Sequence, residues 1–129
     1  MKVLILGATG PTGGRVLASA LEAGDVVSVL ARRPEALAEV GDRIAVLQGD
    51  ATSVDDVARA VEGRDAVIAA LGRGGSLHAE GLFTGAARAV VKAMNRAGVK
   101  RLVWLSSYGV GETIRTASPL QRLMYRTVL

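Results

Sequence analysis

Short β-branched runs alternate along this chain with longer stretches whose apolar residues recur every three or four positions. Residues 3–6, 26–30, 44–47, 66–71 and 102–105 read as strands. Each is a nearly continuous apolar run, the pattern of a sheet covered on both faces. The spacing between them predicts helices. The first starts near Gly13, places Val16, Leu17, Ala20 and Leu21 on one face and ends at Gly24. Residues 34–40 form a short helical stretch, with Pro34 at a first-turn position where an amide has no helical partner. Ser53 is placed as an N-cap, Asp55 and Asp56 fall in the first turn, and Val54, Val57 and Val61 face inward as far as Gly63. A longer helix over residues 80–97 carries Phe83, Ala87, Val90, Val91 and Met94 at helical spacing and stops at Gly98. Ser118 and Pro119 open a last helix through Leu120, Leu123 and Met124.

Strand, helix and strand at intervals of about 20 residues require right-handed crossovers and a parallel sheet. The expectation is one α/β domain over residues 1–129, a doubly wound sheet of five parallel strands in the order 3-2-1-4-5 with helices on both faces. Such a sheet binds its ligand outside the carboxyl ends of the strands, where the order reverses. The residues that follow positions 6, 30, 47, 70 and 105 therefore carry the functional information.

Directly after the first strand comes Gly7-Ala8-Thr9-Gly10-Pro11-Thr12-Gly13-Gly14, a G-x-x-G-x-x-G loop that opens a helix. Gly7 allows a tight exit from the strand, Gly10 lets the backbone approach a pyrophosphate, and Gly13 lets the helix pack close to the sheet. The free amides and the positive dipole end of the helix attract phosphate, and Thr9 and Thr12 add hydroxyl donors. This placement between strand and helix argues for a nucleotide or dinucleotide site over a merely structural turn. The loop lacks the Lys-Ser/Thr ending of a P-loop, which argues against an ATPase or GTPase.

The end of the second strand bears on the choice between nicotinamide cofactors. An acidic residue about 20 positions beyond the loop suits the free ribose hydroxyl of NAD. Here the chain reads Leu30-Ala31-Arg32-Arg33-Pro34. Arginine presents a planar fork matched to phosphate, so NADP(H) is expected in preference to NAD(H). Arg32 is the main contact and Arg33 a helper or a solvated neighbour; the alternative is two solvated surface arginines. Asp50, after the third strand, either accepts from the adenine amino group or serves as a turn or capping residue. Residues 70–72 would let ribose and adenine lie against the backbone.

Composition narrows the setting. Half of the 129 residues are hydrophobic and 22% are charged, which excludes a disordered chain. The absence of cysteine excludes a disulfide framework, a thiolate metal site and a cysteine nucleophile, and no metal site is read. No apolar run reaches the roughly 20 residues of a membrane span, and glycines interrupt the apolar start that a signal peptide would continue. The chain reads as soluble and cytoplasmic. Its net charge of +4 is uneven: residues 1–80 carry 8 basic and 11 acidic side chains, residues 81–129 carry 8 and 1. The bases are scattered, and one Phe, one Trp and two Tyr leave little for base stacking, so nucleic acid is not expected as a partner.

Taken together, GATGPTGG at 7–14, LARRPE at 30–35, GDAT at 49–52, AALG at 69–72 and LVWLSSYGV at 102–110 resemble the atypical short-chain dehydrogenase/reductase-like proteins with an NAD(P)H-binding Rossmann domain. Within that group the chain is most similar to flavin reductase/biliverdin reductase B-like enzymes. Related branches include quinone reductases, sugar-nucleotide epimerase-like proteins and nitrogen metabolite repressor-like sensors that bind the dinucleotide without turning it over. The resemblance implies that Gly7, Thr9, Gly10, Pro11, Thr12 and Gly13 wrap the pyrophosphate and that Arg32 holds the 2′-phosphate. It further implies that Asp50 and Ala51 flank adenine, that Ala70, Leu71 and Gly72 line the ribose side, and that Ser106 and Ser107 border the nicotinamide.

The catalytic residues of standard short-chain dehydrogenases do not carry over. Their Tyr-x-x-x-Lys pair has no counterpart, because Leu129 stands four residues after Tyr125 and no lysine follows Lys100. Tyr125 then reads as a packing residue, and His78 as a solvent-facing loop residue. The flavin reductase-like branch delivers hydride from a positioned nicotinamide without that pair. There Ser107 would orient the nicotinamide or a substrate carbonyl and Tyr108 would be a donor or stacking wall, unless Ser107 only satisfies a turn.

Relatives in this group typically continue past the last helix, so the resemblance implies a domain lacking most of the C-terminal substrate-binding segment. The leading expectation is an NADPH-binding reductase-type domain acting on a flavin, quinone or similar small-molecule acceptor, with weak or no turnover alone. The alternatives are a non-catalytic NAD(P)(H) sensor and a minimal scaffold without turnover. Self-association through the edge of the fifth strand or the last helix is also expected.

Overall fold

The computed structural model describes residues 1–72, 81–106, 115, 118 and 119. The first strand, β1 (Lys2–Leu6), is apolar after Lys2 because it lies in the middle of the sheet: Leu4 and Leu6 enter one core cluster, Val3 and Ile5 the other. It pairs in parallel with β2 (Val26–Ala31) on one side and β4 (Ala66–Ala69) on the other. β3 (Ala45–Gln48) and β5 (Arg101–Trp104) complete a five-stranded sheet in the order β3-β2-β1-β4-β5, all parallel. This is the doubly wound Rossmann arrangement that the alternating pattern predicts.

Helices cover both faces. α1 (Pro11–Glu22) supplies Leu17 and Ala20 to the cluster containing Val3 and Ile5. α2 (Val54–Val61) and α3 (Leu82–Ala97) pack over the opposite face, where Val57, Ala60, Val61, Ala89, Val90, Ala93 and Met94 meet Leu4, Leu6 and Val67. Within that core Ser28 of β2 is fully buried, and its hydroxyl has no hydrogen-bond partner among the described residues.

Several elements differ from the expected ones. α1 starts at Pro11 rather than Gly13, with Gly10 as N-cap, because proline is pre-shaped for the first helical position. The stretch from Pro34 to Arg43 is 3-10 helical and broken at Gly41, not a single regular helix. β4 ends at Ala69, so Ala70 and Leu71 leave the sheet although they continue the apolar run. β3 and β5 are largely exposed, since each has a neighbour on one side only. α3 is rotated relative to its expected face: Ala86, Ala89 and Ala93 are buried, while Phe83 and Val91 are exposed at 36% and 49%. Small alanines allow a closer approach of α3 to α2 than large side chains would. Pro119 stands in helical conformation after Ser118; Leu120, Leu123, Met124, Tyr125 and His78 lie outside the described residues. No helix among the described residues is long and apolar enough to cross a membrane.

Candidate functional site

The carboxyl ends of β1, β2, β3 and β4 open into one cleft of about 400 Å³. Its first wall is the loop after β1. Gly7 has a φ of +86°, and a Cβ there would collide with the Ala70 carbonyl oxygen, so the exits of β1 and β4 touch backbone to backbone. Gly13 is buried beneath the loop, and a Cβ on it would run into the Gly7 carbonyl. The close packing of helix on strand exit expected of Gly13 is therefore present, and Gly13 itself does not line the cleft.

Gly10 is different. Its φ of −86° and ψ of 164° suit any residue, and an added Cβ would meet only the Gly7 carbonyl oxygen, at 3.4 Å. The protein alone makes little demand for glycine at position 10. The need arises on the open side, where a side chain would stand between the backbone and whatever occupies the cleft.

The start of α1 is prepared for an anion. The Gly10 amide donates to the Gly7 carbonyl at 3.0 Å and Pro11 has no amide, which leaves the Thr12 and Gly13 amides without a partner among the described residues. No side chain caps this terminus and its first turn holds no acid. The start of α2 is the opposite case: Ser53 Oγ accepts from the Asp56 amide at 3.2 Å, and Asp55 and Asp56 complement the dipole. The macrodipole is thus answered internally at α2 and left open at α1.

Arg32 and Arg33, just past β2, line the same cleft and are exposed; neither guanidinium forms a hydrogen bond or ion pair among the described residues. Across from them stands Asp50. Its Oδ1 accepts from both the amide and the hydroxyl of Thr52, each at 2.8 Å. These bonds, the backbone one first and the hydroxyl second, hold the carboxyl below the ordinary aspartate range; partial burial opposes them and the Arg32 charge adds to them. Asp50 is thus a turn residue, as one reading of the sequence had it, and it also faces the cleft.

Ala51, Ala70, Leu71 and Gly72 complete the lining together with Thr9, Pro11 and Thr12. Ser106 is exposed and does not line it. Ser107 and Tyr108 lie outside the described residues. Sequence reasoning missed Ala8, Leu30, Ala31, Gly49, Leu82 and Leu105. Of these, Gly49 had a signal in the GDAT motif: a Cβ there would lie 2.8 Å from Leu30 Cδ1 and 2.9 Å from Asp56 Cβ.

Residues 7–129 match the model of the NAD(P)H-binding family. Among solved structures, a Burkholderia pseudomallei protein described as exported is 31% identical, with a TM-score of 0.69 over 84% of this chain and 49% of its own. A Rossmann-fold NAD(P)-binding family protein of Shigella flexneri is 28% identical, with a TM-score of 0.69 over 96% of this chain and 59% of its own. ChuY, an anaerobilin reductase of Escherichia coli O157:H7, shares the fold at 24% identity, with a TM-score of 0.80 over 99% of this chain and 62% of its own. The chain thus spans about half to three fifths of the length of these structures.

Two substitutions separate the roles of the loop glycines. Gly13→Ala is expected to lower stability by at least about 2 kcal/mol in urea unfolding, because backbone must shift to admit the methyl. Gly10→Ala is expected to cost less than about 1 kcal/mol and yet to weaken dinucleotide binding at least about tenfold; a normal affinity would remove Gly10 from the site. A pH prediction follows from Asp50. Its depressed folded-state pKa contributes stability that is present above the unfolded value and is lost as pH falls through the folded one. Thr52→Val removes one of the two bonds to Oδ1, so the Asp50 titration followed by NMR should move to higher pH and acid unfolding should begin earlier.

Proposed function

The chain belongs to the NAD(P)H-binding family, and from that membership we propose that it is a reductase-type domain that takes NADPH in preference to NADH and serves hydride transfer to a flavin, quinone or similar electron-poor acceptor. One observation carries the cofactor half of this reading. A helix start with bare amides and no acid shares a cleft with Arg32, at the strand end where an NAD site would place a carboxylate. NADPH carries two anionic groups, a pyrophosphate and a 2′-phosphate, and these two features match them in kind.

In this reading the Thr12 amide, with the Thr9 and Thr12 hydroxyls, binds the pyrophosphate across the surface that Gly10 leaves low. Arg32 takes the 2′-phosphate with a charge-assisted fork and Arg33 adds positive potential beside it. Asp50 and Ala51 receive the adenine, while Ala70, Leu71 and Gly72 let the sugar lie close to backbone. When bound, the nicotinamide would supply a hydride to an acceptor ring that needs no protonated carbonyl. Ser107, which would orient the nicotinamide or a substrate carbonyl, and Tyr108, a donor or stacking wall, enter this reading through the family resemblance alone, since both lie outside the described residues.

The edge of β5 extends the reading to assembly. Val103 and Leu105 are 55% and 50% exposed, and a second copy of the chain is the proposed cover for that edge. Sedimentation at tens of micromolar should show a dimer or higher species; a strict monomer would overturn this part.

Calorimetric titration with NADPH and NADH, followed by absorbance with flavin or quinone present, tests the function. NADPH binding with turnover supports the reductase. Binding without turnover moves the protein to the dinucleotide sensors, and no binding of either cofactor overturns the reading. Arg32→Asp is expected to weaken NADPH on the order of 100-fold and NADH by less than about fivefold. Equal losses for the two cofactors would sink the 2′-phosphate assignment.

A further inference from the structure

We propose that Asp56 is a positioning residue for the base pocket: it fixes Asp50 at the cleft with one carboxylate oxygen free, so that the protein selects a base bearing an exocyclic amino group over one bearing an oxo group. This rests on the reading that the cleft takes NADP(H).

Asp56 occupies the third position of α2, where an acidic residue in a capping box reaches back to the amide of the N-cap. Here it does something else. The Ser53 amide is taken by the Asp50 carbonyl at 3.0 Å, and Asp56 Oδ2 reaches further back to accept from the Asp50 amide at 3.0 Å. The other oxygen, Oδ1, is held by Arg59 at 2.6 Å, which turns Oδ2 toward the loop. Gly49 is what permits this approach, since a Cβ there would lie 2.9 Å from Asp56 Cβ.

Asp50 is therefore fixed at its amide by Asp56, at its carbonyl by Ser53 and at Oδ1 by Thr52. Its Oδ2 has no partner among the described residues, and the residue lines the cleft. An ionised carboxylate oxygen only accepts hydrogen bonds. It attracts the amino group of adenine and repels the carbonyl oxygen of hypoxanthine at the same ring position. Because Asp56 touches Asp50 through the backbone, its effect on binding passes through the direction of that one oxygen.

The test compares NADPH with its deamino analogue, which carries hypoxanthine in place of adenine, on the full chain. The wild type should prefer NADPH about tenfold. Asp56→Ala should reduce that preference to about twofold or less, mainly by weakening NADPH and with the analogue nearly unaffected. Asp56→Asn should retain the preference, because its amide oxygen still accepts from the Asp50 amide. A merely structural role would weaken both ligands together and leave the ratio intact, and that outcome overturns the proposal. A wild type that binds both ligands equally well also overturns it while leaving the NADP(H) reading in place; failure to bind either removes both. Should Asp56→Ala not fold, Asp56→Ser, whose hydroxyl is too short to reach the amide, reads the same ratio.

Discussion

The contact on which this structure depends is backbone against backbone: the first turn of α1 resting on the carbonyl of Gly7. β1 is the central strand, paired on both sides, and only residues 7–10 separate it from α1. With no side chain at Gly13 to hold them apart, helix and strand exit meet directly, and the helix start is carried to the mouth of the sheet. The same economy of side chains at Gly7 brings the exit of β4 against that loop. The cleft has its shape because two close approaches leave no room for anything between them.

Charge is distributed to suit that shape. At the carboxyl ends of the strands, α1 presents a positive pole with no cap among the described residues, and the Arg32 and Arg33 side chains stand unpaired beside it among the same residues. At the opposite end of the sheet, Arg64, Lys100 and Arg101 gather where α2 and α3 finish. There the helices present their negative poles, and Arg64 Nε donates to the Ala60 carbonyl at 3.4 Å. The same residue types therefore have different roles at the two ends. Cations beside helix C-termini complete the fold, whereas cations beside an uncapped N-terminus add to a positive surplus that Asp50 offsets only in part. The basic bias of the later half of the chain is in part of the first kind.

The central strands were legible because a strand covered on both faces must be apolar at every position, and only this fold explains several such runs alternating with helices. The glycine loop was legible for a similar reason: at Gly7 and Gly13 its spacing reflects steric demands that no other residue meets. Edges were harder. The runs in β3 and β5 are as apolar as those in the centre, yet their exposure depends on the number of neighbours, which no local pattern records. On α3, Val90 and Met94 are buried as expected but Phe83 and Val91 were misread, because alanine carries little hydrophobic weight in a periodicity argument and much in close packing. At the site, Arg32 and Asp50 were visible as residue types at strand ends. The bond from the Asp50 amide to Asp56 was not, since it departs from the capping pattern the sequence suggests.

The three loop glycines are commonly read as one signature, but they answer to different pressures. A descendant that had abandoned its ligand would still be pressed to retain Gly7 and Gly13, because a side chain at either would collide with backbone and lower stability. Gly10 is under no such obligation from the protein itself, and neither is Arg32. Drift would erode those two positions first. The first and third glycines are therefore tied to the scaffold, whereas the second glycine and the strand-end arginine are left to whatever lies in the cleft.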